Sequence, residues 1–337
     1  MKAAVYLGPG HLEIRDVPIP PVGENEVLIK VAYCGICGTD VHIYHGDGGA
    51  ANVNPPLIIG HEFSGIVEKV GRNVTKLKIG DKVSVNPNDM CGECYFCHNG
   101  MEHFCEHFTG IGTTVNGGFA EYCVASERTV YKTETLDMLQ ASMVEPLSCC
   151  VHGIDLCGIK PGDTVLIMGT GPIGLIMLQL AKLAGAGMVI ATARSEKKSE
   201  LAKSMGADRV INVSTEDLEA EIAALCRNLN CVIECVGNPG TIEQAISVAG
   251  KGATVMLFGL TGPDAKIEIK PDMIFKKELR ITSSFINPYT YSRSINLLNT
   301  AKIDVTSMIK NIIPLEKLED ALSTDTLRKQ GKVVVKL

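Results

Sequence analysis

The 337-residue chain has no apolar run long enough to cross a bilayer. Its longest, Val165 to Leu178, falls short of the ~18 residues required and is broken by Gly169, Thr170, Gly171, Pro172 and Gly174, which excludes a membrane span. An excess of positive charge is also missing. Lysine and arginine number 32 against 38 aspartates and glutamates, a net charge of −6, so no overall basic field exists to collect nucleic acid or anionic lipid. The N-terminus, Met1 to Pro9, lacks the sustained apolar core and small-residue cleavage site of a signal peptide, and a cytoplasmic protein is expected. There are no internal repeats and no low-complexity segments.

What is present, 45% hydrophobic and 21% charged residues, suits a globular chain, and at about 100–200 residues per domain the length suggests two domains. Thirteen cysteines are an odd number, expected to stay reduced and to serve metal binding or packing. Composition shifts near residue 157. All eight histidines lie between His11 and His152, and ten of the thirteen cysteines lie at or before Cys157. In the first part, segments such as Val27-Leu28-Ile29-Lys30-Val31 and Gly65 to Gly71 are short and β-branched between Gly, Pro or Asn turns, which predicts an irregular, mostly β domain.

From Lys160 onward the pattern changes. Strands expected at Val165–Met168, Met188–Ala193, Arg209–Val213, Cys231–Val236 and Ala253–Phe258 alternate with helices near Ile173–Ala184, Glu196–Met205, Asp217–Asn228 and Thr241–Ala249. This alternation predicts βαβ units and a doubly wound parallel sheet, an α/β architecture. A C-terminal helix at Leu315–Ser323 and strand at Lys332–Lys336 are in a position to return to the first domain.

Gly169-Thr170-Gly171-Pro172-Ile173-Gly174 follows a predicted strand and opens a predicted helix. In that setting G-x-G-x-x-G lets a dinucleotide pyrophosphate approach the backbone at a helix N-terminus. A tight turn without ligand is the plainer alternative. An NAD site places Asp or Glu roughly 20 residues further on, at the end of the second strand. Here Ala193 stands there, followed by Arg194 and Ser195. Without a carboxylate there is room for a 2′-phosphate, which Arg194 can pair through two charged hydrogen bonds, with Lys198 one helical turn later adding a second cation. The pattern predicts NADP(H) over NAD(H), with a solvated arginine as the alternative.

Cys91-x-x-Cys94-x-x-Cys97, with Cys105 after seven more residues, puts four thiols within fifteen positions. Such spacing lets one loop wrap a tetrahedral structural zinc. A ferredoxin-type run would continue x₃-Cys-Pro, whereas Cys105 comes later and Glu106 follows it; iron–sulfur and empty thiols remain the alternatives. A nucleic-acid role for this loop would need a basic face, but Asp89, Glu93, Glu102 and Glu106 surround it. A second set is dispersed: Cys37, the pair His61-Glu62, and Glu145 in Met143-Val144-Glu145-Pro146-Leu147. Cys, His and Glu suit a catalytic zinc with three protein ligands and one open position, although spacing alone does not bring them together.

Gly60-His61-Glu62-x-x-Gly65-x₅-Gly71-x-x-Val74 resembles, position by position, the zinc signature of the medium-chain alcohol dehydrogenase family. The Gly80-Asp81-Lys82-Val83 that follows, the four-cysteine loop and the late glycine turn fall in that family's order, so the resemblance spans essentially the whole chain. It implies a GroES-like catalytic domain over residues 1–147 and 288–337 and a Rossmann domain over 148–287. Cys37 and His61 resemble the catalytic zinc ligands, and Glu62 the neighbour that ligates the metal or holds its water. Glu145, in Val-Glu-Pro-Leu, takes the third-ligand position as in the sorbitol, polyol and threonine dehydrogenase branch. Thr39 and His42 match the proton relay, and Cys91, Cys94, Cys97 and Cys105 the structural zinc lobe, which implies two zinc ions per chain. Val236, Gly237, Phe258, Ser284 and Phe285 are further expected cofactor contacts.

The implied reaction is reversible hydride transfer between a secondary alcohol of a polyol or sugar alcohol and NADP(H), in a homodimer or homotetramer with no nucleic-acid or membrane partner. Three features depart from the pattern. Gly38 stands where the ethanol-type enzymes carry a basic residue, Ala193-Arg194 replaces the acidic fingerprint, and Ser283 to Tyr289 lacks the arginine that sorbitol dehydrogenases carry after the phenylalanine. The last counts against sorbitol itself. An L-threonine or polyol-phosphate dehydrogenase would keep the same motifs. A non-catalytic NADPH-binding protein of this fold would have lost Cys37, His61 and Glu145.

Overall fold

The structure, a computed structural model, describes residues 1–47, 52–133 and 135–337. The chain divides into two compact units, one of Met1–Ser148, Ile286–Ala301 and Val305–Leu337, the other of Cys149–Phe285 and Lys302–Asp304.

In the first unit, β1 (Lys2–Gly8) and β2 (His11–Asp16) form a hairpin. β3 (Glu26–Gly35) leads into helix α1 (Gly38–His45), and β4 (Leu57–Ile58) joins the hairpin beside β1. β5 (Glu62–Val70) runs antiparallel to β3 and is followed in the same sheet by β6 (Lys82–Val85). β7 (Asn88–Asp89) pairs with β8 (Thr109–Gly110), and the short helix α2 (Tyr95–His98) lies in the loop between them. β9 (Tyr122–Ser126) pairs with β3 and β10 (Val130–Lys132) with β6. The core between these strands is apolar and β-branched, with Val27, Ile29, Val67, Val83 and Phe119 fully buried. Helix α3 (Met138–Ala141), capped by the Asp137 carboxylate, precedes α4 (Val144–Cys157).

The second unit alternates β11 (Thr164–Met168), α5 (Pro172–Leu183), β12 (Met188–Ala193), α6 (Glu196–Ser204) and β13 (Arg209–Asn212). It continues through α7 (Leu218–Leu225), β14 (Cys231–Glu234), α8 (Pro239–Val248), β15 (Thr254–Leu257), α9 (Pro271–Lys277) and β16 (Arg280–Ser283). Every pairing is parallel, in the order β13-β12-β11-β14-β15-β16. The central strands are continuous apolar runs rather than alternating ones, as expected when helices cover both faces. The strand order reverses between β11 and β14, the place where open α/β sheets bind ligands.

Element ends differ from the sequence expectation for local reasons. β14 stops at Glu234 rather than Val236, because the Glu234 carboxylate captures the Val236 and Gly237 N–H groups. α8 begins two residues early, at Pro239, because the Asn238 side chain caps it. The expected C-terminal helix from Leu315 is a 3₁₀ turn followed by a helix from Leu318.

The chain then returns to the first unit with α10 (Tyr291–Asn299), β17 (Ile309–Pro314), α11 (Leu318–Ser323) and β18 (Lys332–Lys336). β18 pairs antiparallel with β3, Val334 opposite Gly35, so the first unit's sheet is built from both ends of the chain. A buried polar chain secures the return: Asn88 Nδ2 donates to Asn287 Oδ1 (2.7 Å), and Asn287 Nδ2 donates to Ser148 Oγ (2.7 Å). Each member is hydrogen-bonded, the condition under which buried polar groups rigidify a core. Among the described residues, no helix is long and apolar enough to cross a membrane.

Candidate active site and cofactor turn

Cys37 is the residue preceding α1, in an extended conformation (φ −98°, ψ 160°), and its N–H donates to Asp40 Oδ2 at 2.8 Å. The sulfur therefore sits at the positive end of a helix, a favourable place for an anionic ligand. His61 and Glu62 lie where the chain enters β5, and both are buried. The ligand atoms of Cys37, His61 and Glu62 lie within 4.8 Å of one another, close enough to share one ion. Glu145 is buried in the first turn of α4.

Two supporting residues were not singled out in the sequence. Asp40 is completely buried, and its carboxylate lies 3.3 Å from His61 Nδ1, an ion-pair distance whose alignment falls short of a hydrogen bond. Burial alone would push the His61 imidazole pKa down, but the Asp40 and Cys37 charges overcome this and hold it well above the ordinary histidine value. A carboxylate behind a ligating histidine is the arrangement that orients the ring toward a metal. Lys332, the first residue of β18, bonds the Glu62 carboxylate and donates to the Ile36 carbonyl at 2.9 Å, with both charged side chains buried. Burial would lower the Lys332 pKa, and the neighbouring Glu62 and Cys37 charges raise it instead. The signals were faint: an aspartate three residues after Cys37, and a lysine opening the apolar run Val333-Val334-Val335.

Thr39 and His42 follow on α1. Thr39 Oγ1 lies 3.7 Å from Cys37 Sγ, and the half-buried His42 has Nδ1 3.4 Å from Asp47 Oδ2. A hydroxyl beside the cluster and an imidazole with a carboxylate neighbour thus stand on one short helix.

The four loop cysteines, Cys91, Cys94, Cys97 and Cys105, also converge. Cys91 Sγ lies 3.5 Å from Cys105 Sγ and 3.9 Å from Cys97 Sγ, and the ligand atoms of all four lie within 4.8 Å of one another. Backbone N–H groups already point at the sulfurs, from Cys91 and His107 to Cys105 and from Glu93 and Cys94 to Cys91, all at 3.3–3.4 Å. N–H groups of Cys97 and Glu106 draw the Cys94 thiol down to about 6, whereas burial and the neighbouring thiols push Cys97 up to about 12. Four sulfurs this close cannot all ionise without a cation between them, so the set fits a closed zinc site.

In the second unit the glycine turn opens α5. Gly169 adopts φ +99°, and its N–H donates to Thr192 Oγ1 at 2.9 Å. A Cβ on Gly174 would lie 1.8 Å from the Gly169 carbonyl oxygen, so only glycine lets the helix pack back on the turn. Gly171 precedes the helix and Pro172 occupies its first position, which leaves the orphan N–H groups of the N-terminus open to an anion, with Ile173 next in line. Ala193 is buried at the end of β12, Arg194 is exposed, and Ser195 precedes α6 without capping it. Burial and the Arg194 charge lower the Lys198 pKa, and neither cation has a carboxylate partner among the described residues. Val236 and Phe285 are exposed, Gly237 takes φ +73°, Phe258 follows β15, and Ser284 has a buried hydroxyl without a bond.

Comparison with known proteins agrees with this geometry. Residues 23–135 match the alcohol dehydrogenase GroES-like domain and residues 172–300 the zinc-binding dehydrogenase domain. The chain is 34% identical to D-arabinitol dehydrogenase 1 of Uromyces fabae, over 100% of this chain and 97% of that protein. It is 36% identical to an L-threonine 3-dehydrogenase of Bacillus velezensis, over 96% and 94%. Among solved structures it superposes on a zinc-binding dehydrogenase of Sinorhizobium meliloti 1021 bound to NADP, with TM-score 0.95, 38% identity and coverage of 100% and 99%. The chain therefore belongs to the zinc-dependent medium-chain alcohol dehydrogenase family, in its polyol and threonine dehydrogenase branch. It is an oxidoreductase acting on small-molecule alcohols, with a GroES-like and a Rossmann domain.

Proposed function

We propose that the protein reversibly oxidises a secondary alcohol of a polyol or sugar alcohol with NADP(H) as hydride carrier. The observation that carries this reading is the meeting of Cys37, His61 and Glu62 from two separate chain segments. We assign these three as ligands of a catalytic zinc, and Cys91, Cys94, Cys97 and Cys105 as ligands of a second, structural zinc. A zinc ion at the first site supplies Lewis-acid polarisation of the substrate oxygen. Thr39 takes the alcohol proton through its hydroxyl, and His42 passes a proton on to solvent. Asp40 holds the His61 ring, and Lys332 balances the Glu62 charge within the fold. Glu145 is the remaining acidic candidate, and substitution separates the two ligand sets. Loss of zinc in Glu62→Gln with retention in Glu145→Gln supports the Cys37–His61–Glu62 set, and the converse supports Glu145 as third ligand.

The preference for NADP(H) rests on Arg194 and Lys198, two neighbouring cations without a carboxylate partner among the described residues, beside Ala193 in place of an acid. One charged hydrogen bond to a 2′-phosphate is worth ~1.5–3 kcal/mol, on the order of ten- to a hundredfold in affinity. The test is kcat/KM with each cofactor in wild type and in Ala193→Asp/Arg194→Leu. Reversal toward NAD(H) in the variant supports the assignment, and a wild type that already favours NAD(H) defeats it.

The 36% identity to a threonine dehydrogenase supports a second reading, in which the alcohol is that of L-threonine. A panel of pentitols, hexitols, polyol phosphates and L-threonine, followed at 340 nm, decides between the two. The odd count of thirteen cysteines fits a reducing compartment, in keeping with a cytoplasmic enzyme. Its assembly as homodimer or homotetramer is read by sedimentation.

A further inference from the structure

Glu234, the last residue of β14, is completely buried. Neither an ion pair nor any other cation balances it among the described residues, so as a buried charge it would cost more than an apolar side chain in the same place. Its oxygens act only as acceptors. They receive the Val236 N–H (2.8 Å), the Gly237 N–H (3.1 Å to each oxygen) and the Thr241 hydroxyl (2.8 Å). The Glu234 carbonyl in turn accepts the N–H groups of Phe258 and Gly259, both at 2.9 Å.

The position of this residue matters more than its bonds alone. Glu234 lies in register with Met168 at the end of β11 and with Leu257 at the end of β15. It therefore stands at the carboxyl edge of the sheet, where the strand order reverses. The turn it holds presses on the glycine turn: a Cβ on Gly169 would lie 2.8 Å from Val236 Cγ2. Gly259 is packed just as closely, since a Cβ there would lie 2.1 Å from the Gly237 nitrogen and 2.8 Å from Glu234 Oε2. The carboxylate thus holds the turn after β14, which packs against the turns after β11 and β15.

We propose that Glu234 is a positioning residue for the dinucleotide, an anionic pin that sets the turns after β14 and β15 against the glycine turn. A dinucleotide across a doubly wound sheet places one mononucleotide over each half. The adenosine half belongs with Arg194 after β12, which leaves the nicotinamide half over β14 and β15. The pin thus acts on the nicotinamide half. This inference rests on the NADP(H) reading above.

Glu234→Gln keeps the shape but turns an amide donor toward donors. The experiment titrates NADPH fluorescence, and separately 2′,5′-ADP by calorimetry, against the full-length wild type and variant. NADPH binding weakens about ten- to a hundredfold, the scale of one lost charged hydrogen bond, while 2′,5′-ADP binding stays unchanged. A loosened domain would weaken both ligands together, which overturns the proposal, as does unchanged NADPH binding. If the variant does not fold, Thr241→Val removes one donor only; it weakens NADPH severalfold, and no change overturns the proposal. A wild type that binds neither NADPH nor 2′,5′-ADP defeats the cofactor reading and this inference with it. NADPH bound equally by wild type and Glu234→Gln defeats this inference alone.

Discussion

The two side-chain clusters able to hold a metal ion are built in opposite ways. The four-cysteine loop is local: Cys91 to Cys105 span fifteen positions, the short strands β7 and β8 close the loop, and its own N–H groups orient the sulfurs. The Cys37–His61–Glu62 cluster is assembled from afar. Its histidine is backed by Asp40 on α1, and its glutamate is balanced by Lys332, 270 positions along the chain, brought in by the β18–β3 pairing. A local set depends on one loop, whereas a dispersed set depends on the sheet that unites both chain ends. Changes around the dispersed cluster should therefore alter chemistry and stability while leaving the lobe's metal in place.

The largest effect is expected at Thr39. Thr39→Val keeps the shape but removes the hydroxyl, and turnover should fall ~10²–10⁴-fold at neutral pH with little change in cofactor binding. Unchanged turnover removes Thr39 from the proton path. Lys332→Met comes next, because it leaves Glu62 buried and unpaired. Urea denaturation of the zinc-depleted protein should show a loss of about 3–5 kcal/mol, and a loss no larger than that of a surface substitution would mean that the pairing across the two chain ends is not needed.

These residues also mark what could be read from the sequence. The glycine turn, the four cysteines and the βαβ alternation are local patterns, and β11 and β12 fall within a residue of expectation. The partnership of Lys332 with Glu62 is not local. It follows from strand register, which no spacing in the chain encodes. Asp40 is close in sequence to Cys37, yet its contact with His61 depends on how α1 meets the start of β5. The ends of β14 and α8 were displaced by side chains, Glu234 and Asn238, that capture nearby backbone N–H groups. Propensity and period do not report such captures.

Two smaller effects sharpen the comparison. Asp40→Asn removes the charge behind His61, and zinc affinity at the dispersed site should fall about 10–100-fold in chelator competition while the lobe keeps its ion. Equal loss from both sites would contradict their independence. At Asp81, burial would raise the carboxyl pKa, but the Lys78 N–H at 2.9 Å and Lys132 Nζ at 3.0 Å outweigh it and hold it below the usual value. Its contribution is therefore present above the ordinary aspartate pKa and is lost as pH falls through the depressed one. Asp81→Asn should lower Tm at neutral pH, by about 1 kcal/mol in stability, and shrink the difference from wild type in acid. A difference that grows in acid would reverse the sign and refute it.

The most direct test of two independent metal sites is elemental analysis of wild type, Cys37→Ala, Cys97→Ala and the double variant. Two, one, one and no zinc ions per chain are expected, with Cys97→Ala losing more stability than Cys37→Ala. Iron in place of zinc, or one zinc retained by the double variant, would contradict the account.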